Sequence, residues 1–198
     1  NYIFMKNLLS IFCALCIVHC AFAKSIVVSQ KTSEAYQGNI SQAFERKMSH
    51  KNIEVVNHLK YFEVKKKGEV IASFDPIKVD RNSLYIWPEL SPNGKMLLFT
   101  TSDQGVFICN LKGEILYKFG RGVTATTWWN NRYIVGMIEE DDGVNFLKSD
   151  LVMIDIKIGE KIKIELDEKI ALYPYAHKPY LEYFTPDNMR YIIKLKIK

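Results

Sequence analysis

The chain has 198 residues, with 27 Lys and Arg against 22 Asp and Glu, 48% hydrophobic residues and four cysteines. That length fits one domain or at most two, and the apolar fraction excludes a wholly disordered or collagen-like chain. The net charge of +5 is too small and too scattered to indicate nucleic acid, and a single long apolar run excludes a polytopic membrane protein.

Met5 and Lys6 open a short positive region, followed by the apolar run from Leu8 to Val18 and then by Ala21-Phe22-Ala23. Positive start, short apolar stretch and small-x-small site are the layout of a secretory signal, and cleavage after Ala23 is expected. Residues 1–23 are therefore read as a signal peptide whose true start is Met5, and the protein as exported to the periplasm or beyond the cell. The run is too short to span a bilayer, so no transmembrane helix is expected after cleavage. Lipid anchoring through Cys20 is the less favoured reading, because bulky His19 stands where lipid signals carry a small residue. Cleavage removes Cys13, Cys16 and Cys20 and leaves 175 residues with Cys109 alone. An oxidising compartment then offers no internal disulfide, and Cys109, beside Val106-Phe107-Ile108, reads as a small buried hydrophobe.

Residues 24–52 carry no repeat. Ile26-Val27-Val28 suggests a short strand. Ile40, Phe44 and Met48 recur at i, i+4 and i+8, which suggests a short amphipathic helix starting near Asn39 or Ser41.

From residue 53 onward three segments share one shape: a β-rich run, a turn with Lys and Gly-Glu, and a second β-rich run. They are Leu59 to Ile71, Val106 to Leu116 and Leu151 to Ile162, with hairpin glycines at Gly68, Gly113 and Gly159. A second element precedes the hairpin. Trp87-Pro88-Glu89-Leu90-Ser91-Pro92-Asn93-Gly94-Lys95 leads into Met96 to Thr101, a turn between two strands. Degraded copies are Trp128-Trp129-Asn130-Asn131 and Phe184-Thr185-Pro186-Asp187-Asn188. Four short strands repeating every 40–50 residues predict an all-β fold of propeller type, with four-stranded antiparallel blades that stack and share a core. The blades are expected over 53–75 (partial), 76–120, 121–168 and 171–198 (partial), about three blade equivalents. Closed propellers need more, so an incomplete or open propeller is expected. A truncated product of a longer gene is the favoured explanation. A ring closed by oligomerisation and an open twisted sheet are the others. The final run from Tyr191 to Lys198 reads as an open edge strand through which the chain could self-associate.

Trp87 to Phe99 resembles the aromatic-x-x-x-Ser-Pro-Asp-Gly-Lys motif of the TolB-like, WD40-like propeller repeat, and Val106 to Glu114 is similar to that repeat's hairpin. The resemblance covers 84–120 well, 123–166 less well and both ends in part. Trp87, Pro88, Ser91, Pro92, Asn93, Gly94, Gly113 and Gly159 are thereby implied to be structural turn residues rather than active ones. Asn130-Asn131 lacks the Ser-Pro, and Asn188-Met189 replaces Gly-Lys.

Candidate chemistry is sparse. His50, His58 and His177 share no zinc spacing, with one another or with Cys109. The stretch Glu139 to Asn145 is acidic enough to suggest Ca²⁺ but lacks a distal bidentate Glu, and a solvated loop explains it. Lys65-Lys66-Lys67 reads as a solvated turn. No nucleophile has a legible base, no Gly-x-Ser-x-Gly elbow exists, and no cofactor or metal is expected. Trp128, Trp129, Tyr173 and Tyr175 could line a binding face, although packing alone accounts for them. The expectation is a non-catalytic exported module that binds a protein or peptide partner and no nucleic acid. The alternative is a fragment or accessory domain of a peptidase- or hydrolase-type envelope protein.

Overall fold

The computed structural model describes residues 25–78 and 83–198, so the expected signal segment and its three cysteines lie outside the described residues. The fold is all-β and propeller-type: four sheets, each of four antiparallel strands. Blade 1 comprises β2 (Ser49–His50), β3 (Ile53–Asn57), β4 (Phe62–Lys66) and β5 (Glu69–Phe74). Blade 2 comprises β6 (Tyr85–Leu90), β7 (Met96–Thr101), β8 (Gly105–Asn110) and β9 (Ile115–Gly120). Blade 3 comprises β10 (Thr124–Trp128), β11 (Tyr133–Asp141), β12 (Phe146–Asp155) and β13 (Lys161–Lys163). Blade 4 takes β14 (Leu172–His177), β15 (Tyr180–Phe184) and β16 (Met189–Ile197) from one end of the chain and β1 (Ile26–Ala35) from the other.

That last pairing corrects one expectation. The C-terminal run is not an open edge: β16 is bonded to β15 on one side and to β1 on the other, through nine residue pairs from Ile26–Ile197 to Ala35–Met189. Its edge is therefore not free to recruit a second copy. Both ends that the repeat leaves partial become blades, and the sheets number four. The amphipathic segment at Ile40 forms one 3-10 turn, Ile40–Gln42, capped by the Asn39 side chain on the Ser41 N–H. The Thr185-Pro186-Asp187 turn joins β15 to β16, one strand later in its blade than Ser91-Pro92-Asn93, which joins β6 to β7. Their likeness is one of turn chemistry, not of position in the blade.

Alternation along the central strands builds the stack. In β7, Leu97 and Phe99 face blade 1 and pack with Val55, Phe62, Val64 and Tyr85. Leu98 faces the other way, onto Val123, Trp128, Ile134, Val152 and Ile154 of blade 3. A sheet buried on both faces reads as an unbroken apolar run, as Met96 to Phe99 does. Blade 3 repeats the arrangement: Val135, Met137, Leu151 and Met153 meet Leu181, Tyr183 and Ile193 of blade 4. Among the described residues three apolar clusters thus join blades 1–2, 2–3 and 3–4, and none joins blade 4 to blade 1. On that open side blade 4 is capped by its own linker, with Tyr36 and Phe44 packed on Phe184 at 4.9 and 5.3 Å between ring centroids. Blade 1 shows a polar face there, where Glu63 lies 3.3 Å from His58.

Candidate interaction site

The first strands of blades 2, 3 and 4 break register at the same place. Pairing skips between Ile86 and Glu89, between Thr124 and Thr127, and between Leu172 and Tyr175. Each skip contains a non-glycine residue at positive φ: Trp87 at 49°, Ala125 at 44° and Tyr173 at 51°. Such backbone costs roughly 1–3 kcal/mol per residue and persists only where the surroundings hold it. Pro88 and Pro174 follow two of these residues, at bulge positions where the ladder needs no N–H. The bulges turn Trp87 towards Tyr173, edge-on at 6.1 Å, so blades 2 and 4 touch near the axis.

Beyond each bulge the equivalent residues are Glu89, Thr127 and Tyr175, paired with Leu98, Val135 and Glu182. Arg46, from the linker between β1 and β2, fills the space among them. Its Nη1 donates to the Thr126 carbonyl at 2.9 Å and lies 3.4 Å from Glu89 Oε2, and its guanidinium stands 5.9 Å from the Tyr175 ring centroid. Glu89 is only 5% exposed. Burial pushes its carboxyl above the ordinary range, with Arg46 opposing; burial pushes the guanidinium down, with Glu89 opposing. Next along the linker, the Lys47 carbonyl accepts from the Leu90 N–H at 2.7 Å and the Met48 carbonyl from the Val55 N–H at 2.8 Å. The linker is thereby stitched to blades 1, 2, 3 and 4 within a few residues. A second charged cluster lies behind it, where Glu182 accepts from Arg190 Nε at 2.7 Å and contacts His177.

Beside Arg46 runs a groove of about 850 Å³, lined by Glu45, Arg46, Pro88, Lys51, Lys67 and the length of β3. It exists because β2 is short. β2 pairs only with Ile53 and Glu54 of β3, and the Met48–Val55 bond extends the cover by one residue. The Asn52–Lys67 and His58–Tyr61 backbone bonds fix the alternation of β3, so that Val55 and Asn57 aim their peptide groups at the groove side. Among the described residues the Val55 carbonyl and the Asn57 N–H and carbonyl have no hydrogen-bond partner.

The turn after β6 is held together by its own hydrogen bonds. Ser91 Oγ accepts from the Lys95 and Met96 N–H groups at 3.2 and 3.0 Å, and the Gly94 N–H donates to the Ser91 carbonyl at 2.8 Å. Pro92 sits exposed in the turn, and the Asn93 N–H reaches Asn131 Oδ1 at 3.0 Å, tying blade 2 to blade 3. A Cβ on Gly94 would stand 2.7 Å from the His50 ring, so the turn packs directly on blade 1. Gly113 presses on Phe74 in the same way, whereas Gly159 faces open space. Asn110 and Asp155 cap the two hairpins, accepting from the Lys112 and Lys157 N–H groups at 2.9 and 3.1 Å.

The four aromatics do not form a face. Trp128 and Trp129 are 3% and 4% exposed and belong to the inter-blade cores, Trp128 donating its Nε1–H to the Glu89 carbonyl at 3.0 Å. Tyr173 and Tyr175 are half-buried on β14 at the axis, with the Tyr175 ring beside the Arg46 guanidinium. Cys109 is buried, its thiol pushed up to about 12 by burial. The Asp141 and Asp142 carboxylates cap their own loop, accepting from the N–H groups of Gly143, Val144 and Asn145 at 2.8, 2.9 and 2.7 Å. Among the described residues no cluster of His, Cys, Asp or Glu could hold a metal ion, and no helix is long and apolar enough to cross a membrane. Sequence reading missed Arg46, Glu89 and Glu182. The available signal was the pair Trp87-Pro88 and Tyr173-Pro174, which marks the bulges and hence the acids and aromatics just after them.

No family model matches the chain, and no curated protein matches it in sequence. Solved structures resemble it in shape. The computationally designed Ika8 protein superposes with a TM-score of 0.51 at 14% identity, covering 74% of this chain and 44% of that one. The β-propeller domain of Myceliophteria thermophila Cps50 (Swd1) gives 0.46 at 14% identity, over 72% and 47%. The C-terminal WD40 domain of Sif2 gives 0.43 at 12% identity, over 90% and 61%. The chain spans under half the length of the first two. Likeness at these identities bears on fold alone.

Proposed function

We propose that the protein is an exported, TolB-like propeller module that binds a protein or peptide and carries out no chemistry of its own. One observation carries this reading: the 850 Å³ groove on the open side, walled by a strand edge and by side chains fixed at the axis. Its lining holds Glu45, Glu54, Arg46 and two lysines, and Ser49, opposite Glu54 across the β2–β3 pair, makes no side-chain hydrogen bond to it among the described residues, so the groove suits recognition better than bond-making. Export to the periplasm or beyond rests on the layout of residues 1–23.

Two measurements test it. In cells producing the full chain, the mature N-terminus is expected at Lys24 by mass spectrometry; an uncleaved cytoplasmic product would remove the export half. A photo-crosslinker placed at Asn52 is expected to give one discrete adduct that is absent when it is placed at Gly159, on an open hairpin elsewhere. Adducts of equal yield at both positions, or at neither, would remove the binding half.

A further inference from the structure

The turns of this fold sort into two faces, and the sorting separates charge. In an antiparallel blade alternate turns leave from the same end. The bond from the Asn93 N–H to Asn131 joins the first turns of blades 2 and 3, and Gly94 packs on His50, next to the first turn of blade 1. The common break in register sets β14 level with β6 and β10. The first and third turns of the blades therefore share one face, with the end of β16, bonded to Ser25, standing in for the third turn of blade 4.

Each of those positions carries a cation. Blade 1 presents Lys51 and Lys67, and blade 2 presents Lys95 and Lys112. Blade 3 presents Arg132 and Lys157, and blade 4 presents Lys178 and Lys198. All are exposed, and among the described residues only Arg132 of this set is in an ion pair, with Asp155 at 2.7 Å. Glu114 and Glu160 are the acids within the same turns. The connections at the other ends, from that between β3 and β4 to that between β15 and β16, have the reverse balance. Among their described residues Asp75, Asp103, Asp142, Asp187 and the run Glu165-Leu166-Asp167-Glu168 outnumber Lys60, Lys78, Arg121 and Lys169.

We propose that this lysine face docks on the surface of an anionic lipid bilayer. The interaction goes beyond the groove and needs nothing bound there. The cations are spread over all four blades rather than drawn into a cleft, which matches a broad surface of diffuse negative charge. All but Arg132 are lysines, compact charges suited to a hydrated headgroup layer rather than to bidentate pairing. At the tip of the hairpin between β12 and β13, Ile158 is 64% exposed between Lys157 and Gly159, an apolar side chain placed to enter that layer. A single-stranded nucleic acid is tracked by a cationic groove, whereas the groove of about 850 Å³ mixes Glu45 and Glu54 with its lysines.

The test is co-sedimentation of the full chain with phosphatidylcholine vesicles that contain either no phosphatidylglycerol or about one third of it. Binding is expected to be at least about tenfold stronger on the anionic vesicles and to fall steeply between about 0.1 and 0.5 M salt. Lys95→Glu with Lys157→Glu should weaken it by about twentyfold or more, because each lysine near such a surface contributes about fivefold. Lys95→Gln with Lys157→Gln, which adds no negative charge to the turns, should weaken it by about tenfold and serves if the first pair disturbs folding. Arg121→Glu with Lys169→Glu changes the net charge as much as the first pair but on the opposite face, and should leave binding within about twofold. Ile158→Ser should weaken binding by about threefold and leave its salt dependence unchanged. Equal binding to neutral vesicles, equal losses from the two Glu pairs, or no vesicle binding at all would overturn bilayer docking and leave the groove reading standing. Binding to soluble polyglutamate but not to vesicles would show the partner to be an acidic protein and overturn it equally.

Discussion

Blade 4 and blade 1 flank the same open side of the molecule, yet β1 runs beside β16 for nine residue pairs whereas β2 covers only two residues of β3. Blade 4 is finished by backbone from a distant part of the chain, and its outward face is closed by Tyr36 and Phe44. Blade 1 keeps its apolar residues towards blade 2 and leaves a strand edge and a polar face on the open side. The difference lies in how the backbone of each flank is finished. One edge is paired along nine residues, and the other over two, with one more bond from Val55 to Met48. Arg46 is the hinge of the contrast, because the linker that leaves blade 4 must be pinned at the axis before it can begin blade 1.

The largest effect is expected from unpinning it. Arg46→Met leaves Glu89 buried beside an apolar chain and should cost about 3–5 kcal/mol in urea unfolding. Adding Glu89→Gln should restore most of the loss. The pH dependence has a definite sign. The Glu89 carboxyl sits above its ordinary value in the fold, so its stabilising protonation is complete below about 4.5 and is lost as pH rises through the raised value. Glu168 goes the other way. Burial raises it, but Lys31 and Tyr183 outweigh that and hold it low, so its contribution is present above the ordinary range and is lost on acidification. Glu89→Gln should abolish the first slope and leave the second.

A smaller effect should separate the two blades. Thr32→Pro removes a ladder N–H at the Thr32–Ile192 pair of β1 and β16 and should cost on the order of 2 kcal/mol. Amide exchange should accelerate along β16 and not along β4. Equal acceleration in both would show that blades 1 and 4 open as one unit. Gly94→Ala should cost about 1–2 kcal/mol, from positive φ and the approach to His50, whereas Gly159→Ala has the φ penalty without the clash and should cost about 1 kcal/mol. If the two variants match, the Gly94 turn does not press on blade 1. The smallest perturbation is chemical. With its thiol near 12 and buried, Cys109 should ignore a thiol reagent at pH 8 in the folded chain and react at once in denaturant.

The hairpins around Gly68, Gly113 and Gly159 and the Ser91-Pro92-Asn93-Gly94 turn were readable from sequence, because turn chemistry and alternation are local. The long apolar runs of β7 and β8 were legible as strands for the same reason. The β1–β16 pairing was not, since register between strands so far apart leaves no local mark and β1 is mostly polar. β2 was hidden by its length. The site was less legible than the fold. Arg46 looked like one polar residue on an amphipathic helix, and its burial comes only from three bulged strands meeting around it. The tryptophan pair drew attention by composition, and the core absorbed both.

The seam between β1 and β16 also sets an order of events. The two strands meet across 165 positions, from Ser29 to Lys194. A chain made from its N-terminus must hold β1 unpaired while blades 1, 2 and 3 assemble, and only then can blade 4 close on it. Loop-closure entropy places such a pairing late in folding. Ser29, Gln30, Lys31, Thr32, Ser33 and Glu34 are polar, so the strand can stay in water during that interval without seeking another edge. The composition that conceals β1 from a sequence reader also keeps it available until its partner arrives.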